Sequence, residues 1–372
     1  MYRSQLRDLG ARVILCVSIV AAIICAAVGA QSSAAQAQPA PIPIRVVVVT
    51  TFEVGADTGD RPGEFQYWVE RFPLPATFAF PQGYRALRYN AQSGVLGIVT
   101  GEGAERGAAS IMALGLDPRF DLAHAYWVVA AIAGVDPQAA SVGSAAWANW
   151  VVNADLGFEI DPRDTPANWP TGIVPFDRVQ PYGQPAPPPA SIHGVAAYRL
   201  NAGLAGWAYA RTVATPLTDT PNLRSIRAAY AAFPNAQKPP FVLRGDSLCG
   251  DRYFVGAAMT AWAERWVPYW TGGAGTFAMT AEEDAGIMQA LTFLAGAERV
   301  DPQRVLVLRT ASDFSEPGAG SDAATLLAHD AGAGGESAYL EALDAAYRIG
   351  SPVVSELSAH WDRYGMTVPS MP

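Results

Sequence analysis

Arg45 to Thr51 reads RVVVVTT, a continuous β-branched run. A strand that faces water on one side alternates apolar with polar residues. One that is apolar at every position has both faces buried, as in a sheet covered by helices. The same reading applies to Val95–Thr100, to Ala125–Ala133 (AYWVVAAIA, with Gly134 as its expected stop), to Phe241–Arg244 and to Val305–Thr310. Helical patterns fall between and after them, at about Glu105–Leu114, Val195–Val213, Asn222–Ala232, Phe254–Trp266 and Glu282–Ala295. In the last, Ile287, Leu291 and Leu294 make an i, i+4, i+7 stripe. Glu336–Tyr347 and Ser351–Arg363 read as two closing helices. Strands alternating with helices predict an α/β fold of three layers, with a mixed, mostly parallel central sheet. Asp161 to Pro189 breaks the rhythm with nine prolines in 29 residues, so an irregular insertion is expected at about 161–190.

The N-terminus predicts export. Arg3, Arg7 and Arg12 precede an apolar run, Val13–Val28, and Ala35-Gln36-Ala37 has the small-x-small form of a signal-peptide cleavage site. The expected organisation is a signal peptide over 1–37 and a single domain over 38–372, secreted or periplasmic after cleavage near Ala37. Three arginines and one aspartate leave with the signal, so the net charge of −9 becomes −11. Lys238 is the only lysine, and a phosphate-backbone binder needs the opposite balance, so no nucleic-acid partner is expected. Cys16 and Cys25 fall in the signal and Cys249 remains alone, with four scattered His, so neither a disulfide nor a metal site is expected. No cofactor is expected either.

Ligands of parallel sheets bind at the carboxyl ends of strands. Gly101-Glu102-Gly103, Ile132-Ala133-Gly134 and Ala311-Ser312-Asp313 stand at three such ends. Glycine lets a ligand approach the backbone, and Asp313 can exchange a proton with a bound group. Glu282-Glu283-Asp284 opens a helix, where acids suit the macrodipole. A carboxylate there also suits a vicinal diol, whose two hydroxyls it can accept.

Long colinear stretches resemble the purine nucleoside permease family: TGEGAERGAASIMALGLDPRFDLAHAYWVVAAIAGVDP (100–137), FEIDPRD (158–164), GDSLCGDRYFVGA (245–257), GTFAMTAEEDAGIMQAL (275–291) and VDPQRVLVLRTASDFSEP (300–317). That family is similar in turn to the nucleoside phosphorylases and nucleosidases, whose α/β fold has a partly barrel-like sheet. The resemblance implies that Glu283 holds the ribose hydroxyls, and Asp284 and Ser312 are expected in the same binding set. It implies that Asp313 hydrogen-bonds or protonates a purine at N7. Ile132, Ala133 and Gly134 would form base and sugar pocket, with Gly101 and Gly103 nearby. Asp246 to Phe254 would cover the base, with Tyr253 or Phe254 stacking on it. The phosphorylases place an Arg and a Ser where this chain reads Val129 to Ile132, so phosphorolysis is disfavoured. Arg106 is the one local substitute. The nucleosidases activate water with a carboxylate soon after the first strand. Glu53 is near, although the matching position falls close to Gly55. The expected function is an exported purine nucleoside-binding protein taking part in uptake. The alternative is a purine nucleosidase, favouring hydrolysis. The expected ligand is a purine nucleoside or base. A membrane transporter partner is expected for uptake, and the tryptophans and the proline-rich segment suit a homo-oligomer.

Overall fold

The protein is described by a computed structural model that covers residues 39–332 and 337–371. The expected signal peptide falls outside the described residues. Twelve strands form one sheet. In chain order they are β1 (Val46–Thr50), β2 (Ala76–Phe78), β3 (Leu87–Asn90), β4 (Val95–Val99), β5 (Tyr126–Val135) and β6 (Ala145–Trp147). Then come β7 (Trp150–Asn153), β8 (Ala197–Arg199), β9 (Val242–Arg244), β10 (Asp246–Cys249), β11 (Phe277–Ala281) and β12 (Val305–Phe314). The helices are α1 (Gln66–Arg71), α2 (Ala104–Gly115), α3 (Ala202–Thr212), α4 (Pro221–Arg227), α5 (Ala257–Thr271), α6 (Asp284–Gly296), α7 (Ala323–Asp330), α8 (Tyr339–Ala359) and α9 (Trp361–Tyr364).

The valine run does bury both faces. Val47 and Val49 join Ile111, Leu114, Ile287 and Leu291 on the α2/α6 side. Val46 and Val48 join Trp68, Leu204, Ile349 and Val353 on the α1/α3/α8 side. Those are the three layers. Pairing is parallel through the middle, β4–β1–β5–β12, and antiparallel outward from β4 to β3 and β2.

Half of the sheet closes on itself. β5 pairs with β12, β12 with β6, β6 with β9, β10 with β11, and β11 returns to the far end of β5. The ring closes because two stretches turn a corner. β6 passes into β7 around Ala148-Asn149, and β9 into β10 at Gly245, so β7 also pairs with β10. Asp246 pins both corners. Its Oδ1 accepts the N–H groups of Asn149 and Trp150 at 2.8 Å each, and its Oδ2 accepts that of Thr276 at 2.7 Å.

Several boundaries differ from expectation. β5 runs through Gly134 to Val135, because β12 and β11 both bond to its end. β12 runs to Phe314, so Ser312 and Asp313 lie inside a strand. The 195–213 pattern splits into β8 and α3, with the Asn201 side chain capping the Gly203 and Leu204 N–H groups. The two closing helices are one, α8, which carries Pro352 inside it, followed by the short α9. The proline-rich segment is mostly irregular, with one short strand pairing of Gly157–Glu159 with Ile173–Pro175. Among the described residues, no helix is long and apolar enough to cross a membrane.

Candidate functional site

The carboxyl ends of β1, β5, β7, β10 and β11, together with the end of β12, converge on one cleft. Its interior and mouth together enclose about 630 Å³ of space.

Asp313 reaches the cleft through a β-bulge. Ala311 pairs with Ala133 and Asp313 with Gly134, so Ser312 is the extra residue. A regular strand would send neighbouring side chains to opposite faces, whereas a bulge re-aims one of them. Ser312 and Asp313 therefore both line the cleft. Ser312 Oγ lies 2.8 Å from Asp313 Oδ1 and 3.1 Å from the Ala133 carbonyl. Gly134 is required by this closeness. A Cβ there would stand 2.6 Å from Thr280 Oγ1 and 2.9 Å from Asp313 Oδ2.

Glu283 sits at the N-terminus of α6 and lines the cleft, almost fully buried. Its Oε2 accepts from Arg309 Nη2 at 2.8 Å, and its Oε1 accepts the Gly103 N–H at 3.3 Å. Burial pushes its carboxyl above the ordinary value, against the pull of Arg309. Arg309 comes from the middle of β12. It also donates to both Asp284 oxygens at 2.6 to 3.2 Å and to the Ile132 carbonyl at 2.9 Å. Burial alone would lower the Arg309 value, but Asp284 and Glu283 hold it above the ordinary one. Asp284 is completely buried and accepts Ser247 Oγ at 2.7 Å. It therefore stands behind the cleft wall and holds Arg309, which corrects its expected place in the binding set.

Glu64, in the loop before α1, lines the cleft as well. Its Oε2 accepts Thr51 N–H at 2.6 Å and Thr51 Oγ1 at 2.9 Å, and its Oε1 accepts the Ile132 N–H at 2.7 Å. Burial pushes it up to about 8, against the pull of Arg309. Glu282, also on the wall, is pushed up to about 7 by burial and by neighbouring Glu283.

The cleft brings together Ile132, Ala133, Gly134, Tyr253, Phe254, Glu283, Ser312 and Asp313 of the expected set. Gly101 and Gly103 do not line it; Glu102 between them does. Asp246 is not on the wall either, since its oxygens are committed to the strand corners. Glu53 accepts backbone N–H groups of Val54, Gly63 and Gln66 and only folds its own loop. Arg106 is exposed beside Tyr84 and is not on the wall. Tyr253 points its hydroxyl at Asp313, 2.9 Å away. Phe254 packs against Trp262 with ring centroids 6.0 Å apart. Glu64, Arg309 and Phe52 were missing from the expected set. A charged residue inside the apolar run VLVLRTAS was a readable signal for Arg309. Glu64 carries none, because only the folded loop delivers it. Among the described residues no cluster of His, Cys, Asp and Glu is arranged to hold a metal.

Residues 43–369 match the family model "Purine nucleoside permease (NUP)". A purine nucleoside permease of Candida albicans is 31% identical over 277 residues, covering 72% of this chain. The chain spans 64% of the length of that relative. A probable purine nucleoside permease of Schizosaccharomyces pombe is 31% identical over 283 residues, covering 75% of this chain and 80% of that protein. Among solved structures, the fold is similar to a 5'-methylthioadenosine/S-adenosylhomocysteine nucleosidase of Colwellia psychrerythraea 34H in complex with adenine. The TM-score is 0.50 at 15% identity, over 84% of this chain and 94% of that one. A Helicobacter pylori enzyme of the same name, a mutant with 5'-methylthioadenosine in its active site, gives 0.50 at 11% identity, over 84% and 99%.

Proposed function

The chain belongs to the purine nucleoside permease family, and we propose that it is an exported purine nucleoside-binding protein that takes part in nucleoside uptake. The observation that carries this reading is that Asp313 and Glu283 line the same cleft at the strand ends. Asp313 suits a purine nitrogen, and Glu283 suits ribose hydroxyls. The wall carries five carboxyl side chains (Glu64, Glu102, Glu282, Glu283 and Asp313) against two cationic ones, Arg252 and Arg309. Arg309 is already engaged by Glu283, Asp284 and the Ile132 carbonyl. Such a wall favours an uncharged nucleoside over a phosphate, which needs charge-assisted donors. Export rests on the N-terminal pattern alone. With no spanning helix among the described residues, uptake would require a membrane partner.

Glu64 favours a second reading, a purine nucleosidase. It is a buried carboxyl on the wall that also holds Glu283, and Asp313 is an acid on the same cleft. Protonation of the leaving base by Asp313, with Glu64 taking a proton from a water whose oxygen bonds to C1' of the sugar, would break the C1'–N bond and release base and ribose. General acid catalysis of this kind contributes about 10² to 10⁴-fold. One experiment separates the two readings. Mature protein is incubated with inosine, with and without phosphate, and binding heat and products are measured. Heat with intact nucleoside supports the binding protein. Ribose supports the nucleosidase, and Asp313→Asn should then lower its rate at least tenfold. Ribose 1-phosphate, or no heat with any purine nucleoside or base, would sink both.

A further inference from the structure

Asp313 is the inner end of a hydrogen-bonded chain that reaches the surface. The Tyr253 hydroxyl lies 2.9 Å from Asp313 Oδ2 and 3.2 Å from Asp330 Oδ2. Asp330 Oδ1 lies 3.1 Å from Ser337 Oγ and 3.4 Å from His329 Nδ1. Both carboxyls are buried, Asp313 at 2% and Asp330 at 7% exposure, whereas the His329 side chain is 64% exposed.

A phenol has one hydrogen to donate. Tyr253 stands between two buried carboxyl oxygens, and it can donate to only one of them at a time. If both were carboxylates, one would face the phenol oxygen without a hydrogen, at close range and away from water, which is the costly arrangement. A single extra proton resolves it. With the proton on Asp330, Asp330 donates to the Tyr253 oxygen and Tyr253 donates to Asp313, which is a carboxylate. With the proton on Asp313, both bonds reverse. Moving between the two states shifts two hydrogens along two existing bonds and leaves Tyr253 a neutral phenol in each. Burial, reinforced by Asp313 and Asp330, also pushes the Tyr253 hydroxyl far above the ordinary phenol value, so it does not ionise.

We propose that Asp313, Tyr253 and Asp330 share one mobile proton, so that Tyr253 and Asp330 are positioning residues that set whether Asp313 meets a bound purine as an acid or as a carboxylate. The use made of that proton rests on the purine-binding reading above. His329 and Ser337 form the outer end, from which Asp330 is recharged by solvent. Among the described residues, other ionisable groups around the trio include Tyr230 and Glu316 on its flank, and Glu64, Arg252, Glu282 and the Arg309–Glu283 pair lining the same cleft. Tyr230 donates to the Glu316 carbonyl at 2.8 Å and is held neutral by burial and by Asp330 and Asp313.

Two measurements test this. Infrared pH-difference spectra of the ligand-free protein read a protonated carboxyl directly. Subtracting each variant's spectrum separates the trio's band from those of Glu64, Asp136 and Glu282, and the trio's band is expected to disappear both in Asp313→Asn and in Asp330→Asn. Calorimetry with inosine and adenine across pH reads the consequence. Asp330→Asn lets the amide donate to Tyr253, fixes the phenol hydrogen on Asp313 and holds it ionised. The pH midpoint of binding should move down by about one unit or more. Tyr253→Phe removes the donor and should move it up by about as much. General loosening of the cleft would not produce opposite shifts. A band untouched by both Asp→Asn changes, or midpoints that move the same way, overturns the proposal. The band without purine binding at any pH would uphold the shared proton and refute the reading on which its use rests.

Discussion

Replacing Arg309 with Met tests the electrostatic frame of the cleft. Met is unbranched and adaptable, so it fills much of the space of the arginine stem. What is lost is the charge. Arg309 makes contacts of 2.6 to 3.2 Å to Asp284 and 2.8 Å to Glu283, and these carboxyls are 0% and 3% exposed. Removing one partner of a buried pair costs about 3–5 kcal/mol, because the charge left behind is uncompensated. The stranded carboxyls can escape this cost by taking up protons. Each one that does so relieves about 1.4 kcal/mol per pH unit. The stability deficit, measured by urea unfolding, should therefore be about 3–5 kcal/mol at pH 8 and smaller at pH 5. Adding Asp284→Asn and Glu283→Gln to the Met variant should recover part of the loss at pH 8. A deficit below about 1 kcal/mol at pH 8, or one that is equal at both pH values, would refute the reasoning.

Gly134→Ala should push Asp313 and Thr280 off their positions, lowering purine affinity at least tenfold in calorimetry and stability by about 1–3 kcal/mol. Asp246→Asn should lower stability by about 1–3 kcal/mol in urea yet leave purine affinity unchanged, because it clamps strand corners away from the wall. Glu64 (about 8), Asp136 (about 7) and Glu282 (about 7) are all raised by burial above their ordinary 4.5, 3.8 and 4.5. The folded protein then holds more protons than the unfolded chain between about pH 4.5 and 8, so stability should fall as pH rises through that window. Glu64→Gln should flatten the fall in Tm, and a Tm that climbs from pH 5 to 8 in the unaltered protein would contradict the assignment.

The parts of the fold legible in the sequence were those with a periodic signature. The valine run, the Val95 strand and the α6 stripe each declare their faces by residue type. The short strands β6, β7, β10 and β11 do not, because each is one arm of a bent segment or a brief rung held by its neighbours. Gly134 reads locally as a stop, yet tertiary pairing from two sides carries β5 past it. Within the site, Asp313 and Glu283 were found because a strand end and a helix start mark them. Asp246 has an equally suggestive setting, after Gly245 at a strand boundary, but its acceptors serve the corner. Glu64 could not be found at all, since a loop of more than a dozen residues carries it back to the strand it left.

Closure of the sheet into a ring also divides the cleft kinetically. Ile132 to Gly134 and Arg309 to Asp313 lie in two long strands that pair with each other along this stretch, so their local opening is costly. The segment over Asp313 is different. It is held at its ends, where the Gly250 N–H donates to Ala281 and the Gly256 N–H to Ser315, and between them by Asp251, bonded to Asp155 and to the Ala104 N–H, and by the Tyr253 hydroxyl. Lifting this segment as a strap would have to break those ties, whereas Glu283 beneath it would keep its bond to Arg309. Residence time would then be set by the strap, and the choice of ligand by a floor that does not move.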